Sequence, residues 1–428
     1  MNIKEITAGL EELLSQKSVE FVPGETEIQV ASQYIDLSER LALCEVALSG
    51  KFSEGEKSRQ FLSGLSDYVG RKGGVLCNSG SSASLVAITA LMNKFPDRKT
   101  VITCATGFPT TVNPILQNGG EVLFVDADKK TLNPCLWQVM EALSFEHVGG
   151  VILAHTLGFP FNAELIRNKC DELGKWFIED TCDALGGTWT DRSLGTFGHA
   201  NTYSFYPAHH ISMGEGGAVL SDDLKLIKEM QSLVSWGRDC WCEPGHDNTC
   251  GKRFLQSMGK LPPGYDHKYI YSNLGYNLKL TDMQAALGLA QLNKLPHFTK
   301  KRRDNYQYLL DGLYGVADYY DTVSYPDMGM PSPFGFPLIV KEHTHLNKSR
   351  LIKFLENRKI RTRPVFAGNI TKHPAYINCK DKWSIRWVLD DSDWIMENVF
   401  WIGCHPNMTR PMMDYVIESL YEFACIVQ

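Results

Sequence analysis

The sequence predicts an α/β protein with a mixed, mostly parallel sheet flanked by helices and a smaller C-terminal α+β domain. Between about residues 70 and 220, short apolar runs alternate with helical patterns, which is typical of parallel strands joined by helices. The last hundred residues mix strand and helix patterns without that alternation. A length of 428 residues is enough for two domains.

Composition and periodicity predict the individual elements. Runs rich in Val, Ile, Phe and Tyr predict strands at 101–105, 121–126, 149–155, 175–180, 201–205, 335–340 and 360–365. Helical patterns occupy 82–92, 163–173, 281–295, 298–313, 347–357 and 410–424, and Thr281 is a predicted N-cap. We expect an N-terminal helical segment at 1–50, a large domain at 51–297 and a small domain at 298–428.

Charge and hydropathy argue against several classes of protein. The chain has 43 basic and 49 acidic residues, a net charge of −6, and it lacks the long basic run of a nucleic-acid or membrane-surface binder. Its N-terminus is acidic and amphipathic, without the apolar core of a signal peptide. No apolar stretch approaches the ~20 residues that span a bilayer. We therefore expect a soluble, cytoplasmic protein without a disulfide framework.

A turn rich in serine leads from a predicted strand at 74–76 into a helix. Its sequence is Cys77-Asn-Ser-Gly-Ser-Ser-Ala-Ser84. Backbone N–H groups at a helix start, together with serine hydroxyls, can bind an anion such as phosphate. A tight turn with a serine cap explains the same residues, and neither the dinucleotide motif nor the Walker motif is present.

Two other segments place polar groups where predicted strands end. The strand at 175–180 ends in Glu179 and Asp180, at the sheet edge where open α/β sheets bind ligands. Asp180 is therefore either the partner of a pyridinium nitrogen or a helix-capping residue. After Ser204 come His209, His210 and a glycine-rich turn at 214–217. Two histidines at a sheet edge favour acid–base chemistry, although a single histidine is more often structural.

Three cysteines lie close together in a long irregular segment at 236–272, which is rich in Gly, Pro, Asp and Asn. They follow the pattern Cys240-x-Cys242-x7-Cys250. Thiolates at this spacing suit zinc or an iron–sulfur centre, and neither site is complete with three ligands. The alternative is three unrelated thiols.

In combination, these motifs resemble the DegT-type nucleotide-sugar aminotransferases, which have the fold-type-I architecture of pyridoxal-phosphate enzymes. The matching pieces run in order from about residue 50 to 295: Ser79-Gly-Ser-Ser-Ala83, Gly107-Phe-Pro-Thr110, Glu179-Asp180, Ser204-Phe…Gly214-Glu-Gly-Gly217 and Leu274-Gly-Tyr-Asn277…Gln284-Ala-Ala. The resemblance implies a homodimer that binds pyridoxal or pyridoxamine 5'-phosphate. The implied cofactor contacts are Gly80, Ser81 and Ser204 to the phosphate, Phe108 and Asp180 to the ring, Asp183 in place of a glutamine near the ring hydroxyl, and Asn277 from the partner subunit.

One departure from the aminotransferase pattern concerns the reaction. The aminotransferases have a lysine, which binds the cofactor covalently, where this chain has His209. Imidazole cannot replace that amine as anchor and proton carrier. The substitution is similar to that in the sugar 3-dehydratases of 3,6-dideoxyhexose biosynthesis, a route to O-antigen lipopolysaccharide, which use unanchored pyridoxamine phosphate. The resemblance therefore implies that His209 is the base in C3 dehydration of a nucleotide-linked 4-keto-6-deoxyhexose, and His210 is expected to be structural.

One kind of 3-dehydratase carries a [2Fe–2S] cluster and works with a flavin and iron–sulfur reductase. The first of its four cysteine ligands lies 57 intervening residues before the loop cysteines, which is the position of Cys182 here. The resemblance thus implies the metal ligands Cys182, Cys240, Cys242 and Cys250. It also implies CDP-4-dehydro-6-deoxyglucose as substrate, although no motif identifies the nucleotide. Arg238, Arg361 and Arg363 are candidates for contacts to the diphosphate.

Two alternatives stay open. A cluster-free 3-dehydratase would share His209 and have incidental cysteines. A non-catalytic zinc-binding or redox-responsive protein on the same scaffold would bind no pyridoxamine phosphate, and it would leave the co-occurrence of Asp180, Ser204 and the glycine-rich turn without a reason.

Overall fold

A computed structural model of the chain describes residues 3–15, 20–240, 242, 247–342 and 346–426. Within these residues the α-helices are α1 (Ile3–Ser15), α2 (Leu37–Ser49), α3 (Glu56–Val69), α4 (Gly80–Lys94), α5 (Pro109–Gln117), α6 (Leu136–Leu143), α7 (Ala163–Glu172), α8 (Leu224–Val234), α9 (Asp282–Leu292), α10 (Leu295–Gly312), α11 (Lys348–Asn357), α12 (Pro374–Ile377), α13 (Asp390–Asn398) and α14 (Arg410–Ile426). The strands are β1 (Gly73–Cys77), β2 (Thr100–Cys104), β3 (Glu121–Val125), β4 (Val148–Ala154), β5 (Trp176–Asp180), β6 (Thr188–Trp189), β7 (Arg192–Ser193), β8 (Ala200–Ser204), β9 (Gly217–Ser221), β10 (Tyr320–Asp321), β11 (Gly329–Met330), β12 (Phe336–Val340), β13 (Arg363–Pro364), β14 (Trp383–Ile385) and β15 (Val399–Ile402).

The main sheet has eight strands in the order β1-β9-β8-β5-β4-β2-β3-β14. The strands from β8 to β14 pair in parallel, whereas β9 runs antiparallel to both of its neighbours, β1 and β8. The predicted mixed, mostly parallel sheet is confirmed. The carboxyl ends of β4, β5 and β8 meet at one edge of the sheet, where Ala154 pairs with Asp180. At the same edge Gly217 of β9 pairs with Ser204 and with Cys77.

Apolar side chains cover both faces of this sheet. Ile152 and Ile178 pack with helix residues such as Val86 and Met230 on one face. On the other face, Val151 and Phe177 belong to a core that extends to Phe336 and Val399 of a second sheet. The near-continuous apolar runs of β4 and β5 follow from this burial on both sides.

The C-terminal part of the chain forms the second sheet, an antiparallel one in the order β10-β12-β15-β13. It also supplies β14, which pairs in parallel with β3 at the edge of the main sheet. The predicted strand at 360–365 is shorter than expected. Ile360 pairs with Ile28, and only Arg363 and Pro364 pair with β15. The division into domains at residue 298 stays a prediction.

The predicted irregular segment at 236–272 contains no α-helix or strand in its described residues, and one 3₁₀ turn spans His267–Tyr269. Backbone bridges between Ser235 and Asn277, and between Arg238 and Tyr271, close its base. Residues 241 and 243–246 of this segment lie outside the described part.

No helix among the described residues is both long enough and apolar enough to cross a bilayer.

Candidate active site

The N-terminus of α4 lies against the end of β8. Ser79 caps the helix in an extended conformation, and its hydroxyl accepts a hydrogen bond from Ser82 N at 3.1 Å. A Cβ added at Gly80 would lie 2.4 Å from the Cβ of Ser204, which is too close for two non-bonded carbon atoms. Only glycine therefore brings the free N–H groups of the first turn beside the Ser204 hydroxyl, and this arrangement suits a phosphate.

This close approach predicts a specific effect of Gly80→Ala. The added methyl group must push α4 away from β8, so we expect the affinity for pyridoxamine phosphate to fall about tenfold or more, because hydrogen bonds to charged groups each contribute about 1.5–3 kcal/mol. Equilibrium dialysis with pyridoxamine phosphate measures the change. Gly9→Ala is the control, since a Cβ at Gly9 meets nothing within 4 Å. Unchanged affinity in Gly80→Ala would contradict the phosphate assignment.

Asp180, at the end of β5, is buried and oriented by three groups. Its Oδ2 accepts a hydrogen bond from Thr111 Oγ1 at 3.0 Å, and its Oδ1 accepts one from Cys182 N at 3.2 Å. The hydroxyl of Thr202 lies 3.5 Å from Oδ1. A carboxylate held in this way in a cavity can keep a pyridinium nitrogen protonated.

The neighbouring Glu179 points to the opposite face of the sheet and fixes the strand. Burial alone would raise its pKa, but His155 and backbone N–H donors outweigh burial and lower the pKa of Glu179. His155 Nε2 lies 3.1 Å from Oε1, and the backbone N–H groups of Gly195, Phe197 and Gly198 donate to the two carboxylate oxygens. Because this buried carboxylate is fully hydrogen-bonded, β5 has little freedom to shift Asp180.

His209 lies between the side chains of Asp183 and Arg302. Its Nδ1 is 3.5 Å from Asp183 Oδ1 and is buried without a hydrogen-bond partner in the described structure. The ring packs against Phe334, and Arg302 Nη2 donates to the backbone oxygen of His209 at 3.5 Å. Burial and the Arg302 charge lower the pKa of His209 to about 4. The imidazole is therefore neutral near pH 7.

Asp183 and Arg302 are the two ionisable side chains beside this imidazole. Burial and the nearby Asp180 raise the pKa of Asp183 to about 8. Arg302 is only 1% exposed and donates to the backbone oxygens of Pro333 and Phe334. Sequence patterns do not single out Arg302, because it lies within a charged helical pattern that predicts exposure.

His210 points away from this site. It is buried, and its Nε2 lies 2.9 Å from Ser332 O. This contact supports the expected structural role of His210.

A cavity of about 600 Å³ connects these groups. It brings together nine of the residues that the sequence proposes: Gly80, Ser81, Phe108, Asp180, Cys182, Asp183, Ser204, His209 and Arg363. Phe108 is about half exposed and lies where its ring can pack on a bound aromatic group. We call the first turn of α4 at Gly80 and Ser81, together with the Ser204 hydroxyl, the phosphate cradle. The volume of the cavity, this phosphate cradle and the buried carboxylate of Asp180 fit pyridoxal or pyridoxamine phosphate.

Sequence reasoning missed the other wall of the cavity. This wall is formed by Gln29–Gln33, Tyr206, Phe334, Phe366 and Trp401, together with Arg363, which the sequence does offer as a candidate for the diphosphate. Leu157 and Phe366, which also line the cavity, have positive φ values of 52° and 45°. Such backbone conformations are rare for large side chains and cluster at functional sites.

Asn277 does not line this cavity. It is exposed, and its Oδ1 accepts a hydrogen bond from Lys279 Nζ at 2.8 Å. The expected contact of Asn277 is with the cofactor of the partner subunit, and it stays a prediction.

The loop cysteines contact one another. Hydrogen bonds from Thr249 and from the Cys250 backbone lower the pKa of Cys242 to about 6, while burial raises that of Cys240. Cys182 lines the cavity and contacts Asp180 and Thr202, and burial raises its pKa. Over the described ranges, no group of three or more His, Cys, Asp or Glu side chains is arranged to hold a metal ion. The four predicted ligands therefore do not form an assembled metal site here.

Comparison with known proteins gives a consistent result. The chain is 44% identical over 414 residues to the dTDP-4-dehydro-2,6-dideoxy-D-glucose 3-dehydratase of Saccharopolyspora spinosa, covering 95% of this chain and 89% of that protein. It is also 44% identical over 418 residues to the lipopolysaccharide biosynthesis protein RfbH of Salmonella typhimurium, covering 96% and 94%. The solved structure of the E. coli GDP-4-keto-6-deoxy-D-mannose-3-dehydratase with bound hydrated PLP has a TM-score of 0.79 and 27% identity, covering 92% of this chain and 99% of that one.

These likenesses agree with the fold. A family model matches residues 33–421, which is most of the chain. The chain belongs to the DegT/DnrJ/EryC1/StrS aminotransferase family.

Proposed function

We propose that this protein is a pyridoxamine-phosphate-dependent dehydratase that removes the C3 hydroxyl group of a nucleotide-linked 4-keto-6-deoxyhexose. One observation carries the proposal: His209 lines the same cavity as Gly80, Ser204 and Asp180, and no lysine lines this cavity in the part of the chain that is described. A ping-pong aminotransferase needs a lysine as anchor and proton carrier. The 44% identity to a protein named as a 3-dehydratase supports the same reaction.

The proposed roles follow from the positions of the side chains. When bound, pyridoxamine phosphate supplies an amine that condenses with the C4 ketone and a protonated ring that accepts electrons. Asp180 holds the proton on the ring nitrogen, and Gly80, Ser81 and Ser204 bind the phosphate. His209 accepts a proton from the aminomethyl carbon at its imidazole and returns one to the departing C3 hydroxyl. Asp183 would lie near the ring hydroxyl.

We propose CDP-4-dehydro-6-deoxyglucose as the substrate, in the formation of 3,6-dideoxyhexoses. The name of one relative contains dTDP, so the dTDP-linked sugar is the second substrate to test. We also propose a homodimer in which Asn277 of the partner subunit contacts the cofactor phosphate.

The test is an anaerobic assay with both 4-keto sugars, pyridoxamine phosphate and an electron donor. We expect a 3-deoxy product and no aminosugar from glutamate. Treatment of the enzyme loaded with pyridoxal 5'-phosphate, the aldehyde form, with borohydride should leave no pyridoxyl group on the chain, as measured by mass spectrometry. An aminosugar product or a pyridoxyl-lysine would overturn the proposal.

A second part of the proposal concerns the electrons needed for the 3-deoxy product. We propose that a flavin and iron–sulfur reductase supplies them and that this chain carries a [2Fe–2S] cluster on Cys182, Cys240, Cys242 and Cys250. The spacing of the four cysteines and the mutual contacts of the three loop thiols support the ligand set. A four-cysteine cluster also requires the three loop thiols to lie beside Cys182, an arrangement that the described side chains do not have.

Cysteine replacements test the cluster. In anaerobically purified protein, Cys182→Ser and Cys240→Ser should each lose most of the bound iron and the visible absorbance, because each removes one of four ligands. Cys425→Ser is the matched control, since Cys425 is exposed on α14. Equal iron content in all three variants would show that the ligand assignment is wrong.

A cluster-free 3-dehydratase is the second candidate, favoured by the lack of an assembled metal group among the described side chains. It predicts no iron in the anaerobically purified wild-type protein and dehydration of the 4-keto sugar without an electron donor. A zinc-binding protein without catalytic activity would instead contain zinc and would turn over neither sugar.

A further inference from the structure

We infer that Arg363 binds the diphosphate group of the substrate at the mouth of the cavity. The inference deepens the proposed function and rests on it, because it assumes that the ligand is a nucleoside diphosphate sugar. It distinguishes Arg363 from Arg238 and Arg361, which the sequence alone leaves as equal candidates.

The distribution of charge in the cavity gives the first argument. Two carboxyl groups, Asp180 and Asp183, lie near the phosphate cradle and the imidazole. Arg363 is the one Arg or Lys among the lining residues that the structure describes. An anionic diphosphate is attracted by a guanidinium and repelled by a carboxylate such as that of Asp180. The diphosphate therefore has one cationic partner in this cavity.

The hydrogen bonding of Arg363 gives the second argument. Its side chain is exposed, and within the described structure its guanidinium makes one hydrogen bond, from Nη1 to Thr362 O at 2.7 Å. A guanidinium has five N–H donors in a planar fork that matches phosphate oxygens. Most of the donors of Arg363 are thus available to a ligand.

The other two arginines differ in this respect. Arg361 donates from Nε and Nη2 to Glu27 at 2.6 and 2.8 Å, and from Nη1 to Glu356 at 2.7 Å. Its charge is therefore neutralised by two carboxylates. Arg238 packs over the ring of Trp236, at the base of the cysteine loop. Neither Arg361 nor Arg238 lines the cavity.

The surrounding backbone fixes Arg363 in position. Arg363 pairs with Trp401 of β15, and Trp401 Nε1 donates to Pro364 O at 2.9 Å. Beside it, the segment Gln29–Gln33 forms a wall of the cavity that begins at the bridge between Ile28 and Ile360. Amide and hydroxyl side chains on this wall suit a ribose and a base. We therefore place the nucleoside along Gln29–Gln33 and the diphosphate at Arg363.

Calorimetric titrations with CDP, dTDP and cytidine test the inference without requiring turnover. We expect Arg363→Ala to weaken the binding of both diphosphates about tenfold to a hundredfold, the range for losing hydrogen bonds to a charged group. The affinity for cytidine should stay unchanged. Arg363→Lys should fall between, because an ammonium retains the charge without the planar fork. Arg386→Ala, which removes an arginine remote from the cavity that packs on Phe145, should bind like the wild type.

The outcomes separate this inference from the proposed function. If Arg363→Ala binds CDP and dTDP as tightly as the wild type, or if the wild type binds neither, the inference is overturned. If binding depends on Arg363 but the wild type does not dehydrate either sugar, the diphosphate site stands and the proposed reaction fails. In the active enzyme Arg363→Ala should raise KM with little change in kcat, and a lower kcat at unchanged KM would count against the inference.

Discussion

Replacing His209 with asparagine is expected to slow dehydration about 10²- to 10⁴-fold, the range that positioned acid–base groups contribute. Asparagine has nearly the size of histidine but no nitrogen that accepts a proton. The phosphate cradle at Gly80 and Ser204, and Asp180 on the neighbouring strand, are unaltered. Pyridoxamine phosphate should therefore bind the variant with nearly wild-type affinity.

Two measurements separate a loss of chemistry from a loss of structure. Exchange of the aminomethyl hydrogens of pyridoxamine phosphate with deuterated water reports the proton transfer itself and needs no electron donor. The control is His210→Asn, which removes the contact with Ser332 O. This variant should have a lower melting temperature but an exchange rate close to that of the wild type. Wild-type exchange and turnover in His209→Asn would remove this imidazole from the mechanism.

Replacing Asp180 with asparagine is expected to slow turnover about 10²- to 10³-fold, comparable to removing one preorganised electrostatic contact from an active site. The carboxylate now accepts hydrogen bonds from Thr111 Oγ1 on one oxygen and from Cys182 N on the other. An amide keeps the volume but presents its NH₂ group to one of these donors. It also lacks the negative charge that keeps a pyridinium protonated.

The absorption spectrum of bound pyridoxamine phosphate reports the protonation of its ring. We expect the spectrum in Asp180→Asn to shift toward that of the cofactor with an unprotonated ring nitrogen. Asp191→Asn, in an exposed turn, should match the wild type in spectrum and in rate. If Asp180→Asn also matches the wild type in both, Asp180 has no role in holding the ring.

Much of the main sheet is predictable from sequence, because β2, β3, β4 and β5 are mostly apolar runs of five to seven residues and β8 contains the strand-favouring residues Thr202 and Tyr203. Thr281 is confirmed as an N-cap, since its hydroxyl accepts a hydrogen bond from Gln284 N. The sequence does not predict the strand β14, because Trp383-Ser-Ile is too short to show the alternation of apolar and polar residues that marks a strand. Its position depends on pairing with β3, a contact between distant parts of the chain.

The candidate site shows a similar division. Local patterns place several site residues at one edge of the sheet. Asp180 and Ser204 are the last residues of their strands, and Ser79–Ser81 begin a helix. The distinction between Arg361 and Arg363 has no local signal, because it depends on Glu27 and Glu356. The cavity wall at Gln29–Gln33 was also missed, because this segment has the apolar periodicity of neither a helix nor a long strand.

The pairing of β14 with β3 also bears on how the protein matures on the ribosome. While the chain is being made, the edge of β3 stays uncovered until nearly all of the polypeptide has emerged. An open edge in a parallel sheet is a template for association with other chains. Nascent chains interrupted before residue 383 should therefore depend on chaperones and tend to aggregate, whereas the finished polypeptide covers its own edge.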